Sequence, residues 1–258
     1  MPDLFDMTLR ARRRDRAART GPELFLYERA FEDCWERIAL LQRHFVRALL
    51  IGCPDPAWPG RLSSFAERID VRDPGPLFAA QSRGEVLIED AWEPPQAAYD
   101  LVLAVGTLDT INDLPLALHL IRYAMRSDAL FMAAMSGGDT LPRLRTAMRA
   151  ADQVEGGAAA HVHPRLEAAA IGPLLTDAGF VGPVVDVDRV AVSYPSFERL
   201  VADLRRMGAT NVLTARPRFI GRAAREAAAR SFEAAGEVGR TVEIFEIVHV
   251  AAWTGKER

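Results

Sequence analysis

The sequence lacks three features that would assign a protein to a class at once. Its two cysteines, Cys34 and Cys53, form no CxxC pair, so neither a disulfide framework nor a zinc site is expected. No run of about 18 apolar residues occurs, so no transmembrane helix is predicted. The only lysine is Lys256, and the positive charge is therefore almost entirely arginine.

The charge balance gives no electrostatic argument for nucleic acid as the main partner. The chain has 258 residues and a formal net charge of −3, and it is long enough for one large core. The first twenty residues are rich in arginine, but Asp3, Asp6 and Asp15 distinguish them from a transit peptide. We predict a solvated basic helix packed on the domain, with contact to an acidic partner or nucleic acid as the alternative. We also predict a cytoplasmic protein without a signal or transit peptide.

Helical patterns and short apolar runs alternate along the first half of the chain. After Gly21-Pro22, one amphipathic helix is predicted by residues spaced three and four apart: Leu24, Tyr27, Phe31, Cys34, Ile38 and Leu41. Buried strands are predicted at 48–53, 99–106 and 129–135, shorter strands at 69–71 and 85–90, and helices at 62–68 and 114–125. This alternation predicts an α/β fold with a parallel sheet.

The second half continues with longer segments. A helix is predicted after the turn at 136–141, and a second helix ends at Gly179. A strand at 184–195, helices at 197–207 and 222–237, and a final strand at 243–253 follow. Long connections to the last strands favour an antiparallel edge strand on the parallel sheet. No linker separates two domains. We expect an N-terminal helical extension, 1–46, packed on one domain, 47–258.

Several local motifs carry a family resemblance. The most specific are Asn112-Asp113-Leu114-Pro115 and the turn 137–141, and the stretches 155–164, 177–180 and 192–211 agree with them. The N-terminal LFD…RRRDRAA agrees as well. On these motifs the chain resembles class I S-adenosylmethionine (SAM)-dependent methyltransferases. The branch is that of the malonyl-carrier-protein methyltransferase of biotin synthesis and the methyltransferase-type assembly factors of respiratory complex I. The resemblance spans nearly the whole chain and implies a Rossmann-like, mostly parallel seven-stranded sheet.

The resemblance also implies where a cofactor would lie. In this fold SAM crosses the carboxyl ends of the strands, here the loops 52–56, 70–73, 89–92 and 105–110. Asp70 or Asp73 would take the ribose hydroxyls, and Asp90 would accept from the adenine amino group. Turn or cap roles are the alternatives for Asp73 and Asp90. The candidate cofactor-binding residues are Gly52, Cys53, Asp55, Asp70, Asp73, Asp90, Ala91, Val105 and Gly106.

Two departures from the family pattern fall on this site. Pro54, Asp55 and Pro56 replace the glycines of the first loop, and proline fixes φ and removes an amide donor. Asp55 would meet the ammonium of SAM or solvate the turn. Asp109 and Thr110 stand where the family has a His-Trp pair. We therefore expect SAM binding in the usual pose to be weak or absent.

The remaining motifs favour structural roles. Asn112-Asp113 would cap the helix that Pro115 opens, and the 137–140 turn would cap the following helix or line a substrate or partner surface. A bare HxH, His161 and His163, predicts no metal site. Its loop would be a mobile segment with exposed histidines, or alternatively a lid or a partner contact. No catalytic residue is identified.

Two functional hypotheses follow. The first is a SAM-dependent methyltransferase-family protein with a degenerate first cofactor loop and an unknown methyl acceptor. The alternative is a non-methylating assembly or interaction protein that uses the N-terminal basic helix and residues 137–165. By the resemblance, its partner would be a subunit of a respiratory complex.

Overall fold

The computed structural model describes residues 3–216 and 219–256, which form one seven-stranded sheet flanked by helices. The strand order is β3-β2-β1-β4-β5-β7-β6. Strand β7 runs antiparallel to both of its neighbours, β5 and β6, and the other pairings are parallel. The strands are β1 (Phe45–Ile51), β2 (Ala66–Asp73), β3 (Glu85–Val86), β4 (Tyr99–Val105), β5 (Met125–Ser136), β6 (Val181–Tyr194) and β7 (Thr241–Trp253). The predicted Rossmann-like, mostly parallel sheet is confirmed.

Helices cover the sheet on both faces. They are α1 (Met7–Thr20), α2 (Phe25–Leu40), α3 (Trp58–Leu62), α4 (Pro76–Gln81), α5 (Leu114–Ala124), α6 (Pro142–Glu155), α7 (Ala168–Asp177), α8 (Phe197–Arg206) and α9 (Arg222–Ala234), with a short 3-10 helix at Leu108–Thr110. Within the described residues, no helix combines the length and apolar character needed to cross a bilayer.

Two predicted elements were wrong in extent. The helix expected at 62–68 ends at Leu62, because from Ala66 onward the chain pairs with β1 as strand β2. The strand expected at 85–90 pairs only over Glu85–Val86. Beyond it the chain turns, and its next buried side chains are those of Leu87 and Glu89.

The core lies on both faces of the central strands. In β1, all four residues from Ala48 to Ile51 are buried, which explains the continuous apolar run. One face packs against α5 and α7, and the other packs against α2 and α3. A third cluster lies between α6, α8 and α9 and one face of β7, where Phe197, Phe232 and Phe245 are buried. The carboxyl ends of β1, β2 and β4 therefore stand on a rigid base.

Candidate functional site

The acid that ends β2 has every acceptor position occupied by this chain. The Asp73 carboxylate is fully buried. Its Oδ2 accepts from the Cys53 amide at 2.8 Å and from Arg14 Nη2 at 2.5 Å. Its Oδ1 accepts from the Gly75 amide at 2.6 Å and from Arg14 Nε at 2.8 Å. A carboxylate offers about four acceptor sites, so no capacity remains for another donor.

A second buried carboxylate, Glu89, stands after β3 and accepts two hydrogen bonds from one arginine. Arg10 Nη1 donates to Glu89 Oε2 at 2.7 Å, and Arg10 Nη2 donates to Glu89 Oε1 at 2.8 Å. Arg10 Nη2 also donates to the Thr107 carbonyl at 2.7 Å. A bidentate pair of this kind fixes both position and orientation. Arg10 thereby ties the loop after β3 to the loop after β4.

Both arginines project from one face of α1, because residues four apart in a helix lie one turn above each other. Asp6 caps the helix by accepting from the Leu9 amide. The residue before this cap is held by Asn112, whose Oδ1 accepts from the Phe5 amide at 2.8 Å and whose Nδ2 donates to the Phe5 carbonyl at 3.1 Å. Where α1 meets the loop after β2, a Cβ on Gly75 would lie 2.7 Å from Arg14 Cβ. Only glycine at position 75 allows α1 to approach the end of β2 this closely.

The electrostatics of the Arg14–Asp73 pair follow from this burial. Desolvation by burial tends to lower the pKa of Arg14, but the charge and hydrogen bonds of Asp73 outweigh it and raise that pKa above its usual value. Arg14 therefore stays charged at neutral pH. Removing one member of a fully buried pair leaves an uncompensated charge in the interior, and this costs about 3–5 kcal/mol.

A tyrosine of α2 fills the end of β4. A Cβ on Gly106 would lie 2.4 Å from Cε1 of Tyr27, so the ring packs directly on the glycine backbone. The Tyr27 hydroxyl donates to the Met207 carbonyl at 2.9 Å. Burial, its largest influence, raises the pKa of Tyr27 and keeps the phenol neutral. The first two helices of the chain thus occupy the carboxyl ends of β2, β3 and β4.

The first loop is organised as a tight turn. Oδ1 of Asp55 accepts from the Ala57 amide at 2.8 Å, and the Asp55 carbonyl accepts from the Trp58 amide at 3.2 Å. Trp58 is buried and stacks on Phe31 with ring centroids 4.3 Å apart. Of the two roles considered for Asp55, the structure shows the turn. Burial raises the pKa of Cys53 to about 12, so its thiol is not an activated nucleophile.

The other candidate residues are dispersed. Asp70 lies three residues before the end of β2 and accepts from Arg47 Nη2 at 2.7 Å and from the Tyr99 hydroxyl at 2.8 Å. Asp90 accepts from the amide of Asp113 at 2.9 Å. These two acids are therefore engaged in local structure. Ala91 is exposed, Val105 is buried in β4, and Gly52 is buried beside Cys53.

Sequence reasoning missed Arg10, Arg14 and Glu89 as site residues. The signal was present as two arginines at i and i+4 in a helix whose other contact residue, Ala17, is small and apolar. A second replaced position, Asp109, pairs with Arg165, and both side chains are largely buried. An ion pair therefore stands where the resemblance placed an aromatic wall.

The capping predictions were partly right. Asp113 caps α5, accepting from the Leu116 amide at 2.9 Å. The turn at 137–140 does not cap α6, because Glu243 of β7 accepts from the Leu144 amide at 2.7 Å and from the Arg143 amide at 3.1 Å. The cap comes from a distant strand and could not be found by local spacing.

The two histidines of the HxH motif are both occupied by hydrogen bonds. His161 Nε2 contacts Asp152 Oδ1 at 2.7 Å, and His163 Nε2 accepts from the Val212 amide at 2.7 Å. Burial, followed by the charges of Arg13 and Arg145, lowers the pKa of His163 to about 4. In the described part of the chain, one group of His, Cys and acid side chains is close enough to hold a metal, Asp33–Cys34–His249, and it includes neither histidine.

Curated relatives cover almost the whole chain. Over 97% of this chain and 77% of the relative, it is 32% identical to the rat protein named "Arginine-hydroxylase NDUFAF5, mitochondrial". The chain belongs to the NDUFAF5 family. The zebrafish member is 30% identical over 97% of the chain and 83% of its own length. The malonyl-[acyl-carrier protein] O-methyltransferase of Laribacter hongkongensis is 31% identical over 60% of the chain and 50% of its own length. The predicted family is confirmed.

Solved structures show the methyltransferase fold. The YcgJ protein of Bacillus subtilis superposes with a TM-score of 0.57 at 8% identity, over 86% of this chain and 97% of its own. A putative methyltransferase of Bacillus halodurans superposes with a TM-score of 0.58 at 8% identity, over 86% of this chain and 99% of its own. No family model matches the sequence. At these identities the superpositions establish the fold of this NDUFAF5 relative and nothing more.

The residues at the strand ends do not fit SAM in the pose that the methyltransferase fold implies. The ribose hydroxyls would need acceptors from Asp73, whose four positions are taken by Arg14 and two backbone amides. Glu89 is taken by Arg10, and Tyr27 covers Gly106. In this member of the NDUFAF5 family, side chains of its own first two helices stand where the fold would receive a nucleotide.

Proposed function

We propose that this chain is a non-methylating, protein-binding member of the NDUFAF5 family, in which α1 has replaced the cofactor. The observation that carries the proposal is the saturated Asp73 carboxylate. Its two guanidinium and two amide donors satisfy it completely in the absence of a nucleotide. Binding SAM there would require breaking a buried ion pair, which opposes binding by about 3–5 kcal/mol.

The first loop adds a second obstacle. A nucleotide cofactor needs close backbone approach and free amide donors, and the loop offers a buried Pro54, an exposed Pro56 and a carbonyl already bonded to Trp58. The Cys53 amide already donates a hydrogen bond to Asp73. The loop therefore has neither the shape nor the donors of a glycine-rich loop.

The comparisons are consistent with protein binding, and they support methyl transfer as well. The relatives that match 97% of this chain carry the name arginine-hydroxylase, which names an activity on arginine. A putative methyltransferase of Haloferax volcanii, with a TM-score of 0.53 at 12% identity, was solved with its Trm112 activator. The resemblance to assembly factors makes a respiratory-complex subunit the candidate partner. We propose residues 137–165 as the contact surface, because Arg10 and Arg14 of the basic helix form buried ion pairs and are not available to a partner.

Calorimetric titration with SAM tests the proposal. We expect no saturable heat at ligand concentrations up to about 1 mM, which corresponds to less than about 4 kcal/mol of binding free energy. S-adenosylhomocysteine, titrated in parallel, should behave the same way. Circular dichroism on the same sample shows that the protein is folded. Stoichiometric binding in the low-micromolar range would refute the proposal and support methyl transfer.

A further inference from the structure

The opposite side of α1 borders a cavity of about 570 Å³, which we call the arginine pocket. It lies between α1, α6, α8 and α9 and the loop that follows α6. Among its described lining residues, Glu198 is the one acid, and six are arginines: Arg13, Arg16, Arg165, Arg205, Arg216 and Arg225. The excess of one charge at a cavity of this size points to a ligand of the opposite charge.

Three of these arginines have acidic partners. Arg216 Nη2 lies 3.3 Å from Asp6 Oδ2, and Arg225 Nη2 lies 3.4 Å from Glu198 Oε1. Arg165 pairs with Asp109 outside the pocket. These pairs neutralise the side chains concerned and leave the other three arginines to be explained.

The remaining arginines form no ion pair with an acid among the described residues, and the charge of Asp6 only partly offsets the positive charges around Arg13. Neither Arg13 nor Arg205 makes a side-chain ion pair or hydrogen bond with any of those residues. Arg16 Nη2 donates to the Thr210 hydroxyl at 3.2 Å, and its buried Nε has no partner in the same part of the chain. A buried N–H without an acceptor is costly, and an anion would supply the acceptor.

The crowding of like charges has a measurable consequence. Burial is the largest influence on Arg13, and together with the positive charges of Arg16, Arg216 and Arg205 it lowers the pKa of Arg13 to about 10. Burial and the charge of Arg205 also lower the pKa of Arg16. An anion between these guanidiniums would relieve the repulsion.

One wall of the pocket is apolar. Leu144 and Met148 of α6, Phe197 and Val201 of α8, and Ala228 of α9 line it. The volume lies within the range of about 300–1,000 Å³ that is typical of small-molecule sites. Such a wall suits a hydrocarbon body, while the three unbalanced arginines suit a charged head.

We propose that the arginine pocket binds a small amphipathic anion, with a carboxylate or phosphate head between Arg13, Arg16 and Arg205 and an aliphatic body against α6 and α8. The site does not use Asp73 or Glu89. It is therefore independent of the proposal about SAM, and each can fail without the other.

Calorimetry with three eight-carbon ligands tests the inference on the full chain. Octyl phosphate and octanoate carry the two candidate heads, and 1-octanol carries the same body without charge. We expect at least one anion to bind with one-to-one stoichiometry, and 1-octanol to bind more weakly by about tenfold or more, as expected when charge-assisted hydrogen bonds are lost. The tighter of the two anions identifies the head group.

Variants on and off the pocket locate the site. The double variant Arg13→Gln/Arg205→Gln should weaken binding of the preferred anion by about tenfold or more, because two positive charges are removed. Arg12→Gln, an exposed position on the same helix, should leave the affinity unchanged. The inference is overturned if neither anion binds, if 1-octanol binds as tightly as the anions, or if the double variant binds like the wild type.

Discussion

At the scale of single residues, the character of the site depends on the partner of one carboxylate. Asp73 ends β2 at the position where the fold would place an acceptor for a ribose. Here it is bonded instead to Arg14 and to two amides of its own chain. The residue at this position is still an acid, but all four hydrogen-bond acceptor positions of its carboxylate are occupied by this chain. An acid at a strand end therefore does not by itself imply that a ligand is bound there.

The Arg14–Asp73 pair should show strong energetic coupling. We expect Arg14→Met and Asp73→Asn each to lower the free energy of unfolding by about 3–5 kcal/mol, because each leaves a buried group without its partner. The double variant should lose clearly less than the sum of the two. Urea denaturation of the wild type and the three variants measures this coupling.

An exposed ion pair provides the matched control. Arg225→Met removes the partner of Glu198, and because both side chains are about half exposed, the expected loss is below about 1 kcal/mol. If the coupling between positions 14 and 73 were as small as this, the pair would not hold α1 in the site.

Part of the site could be predicted from the sequence and part could not. Asp73 was identifiable because it follows a predicted strand, and the turn role of Asp55 was one of two alternatives considered. Arg14 and Arg10 could not be assigned, because they lie 59 and 79 residues along the chain from their partners. Only tertiary packing brings α1 to the strand ends.

At the scale of elements, connections between distant segments decide the local structure. The loop between α6 and α7 was predicted to be a mobile segment, with a lid or a partner contact as the alternative. One of its residues, His163, is buried and accepts a hydrogen bond from the Val212 amide. This contact ties the loop to the segment after α8. The strand limits at β2 and β3 were missed for a related reason, since pairing with neighbouring strands sets them.

The His163 contact should make stability depend on pH. Its pKa is lowered from 6.5 to about 4 in the folded protein, so between these values the unfolded chain binds more protons. The stabilisation is therefore complete above pH 6.5 and is lost as the pH falls towards 4, with a total of about 3 kcal/mol. Urea denaturation at a series of pH values measures the loss.

Two histidine variants separate this contribution from other groups. His163→Gln keeps an acceptor for the Val212 amide but cannot be protonated, so its stability should fall less steeply between pH 6.5 and 4. Part of the slope should remain, because burial also lowers the pKa of His249. His44→Gln, at an exposed position, should follow the wild type. Identical slopes for His163→Gln and the wild type would contradict the prediction.

At the scale of the whole molecule, the methyltransferase fold is retained, and we propose that its cofactor edge is closed by the chain's own helices. The same helix that closes the edge, α1, also lines the arginine pocket through Arg13 and Arg16. The fold was predictable because its strands and helices follow strong hydrophobic patterns. The role of α1 was not, because a basic amphipathic helix has the same pattern whether it lies on the surface or covers a site.

Amide hydrogen exchange over the whole chain tests the central claim, that α1 is a fixed occupant of the cofactor edge. Helices that open only with global unfolding exchange as slowly as the core strands. We predict that α1 is protected like β1 and β4, and that SAM at about 1 mM leaves the exchange of residues 7–20 and 52–56 unchanged. Rapid exchange in α1, or protection of residues 52–56 by SAM, would show instead that α1 is a lid over a working cofactor site.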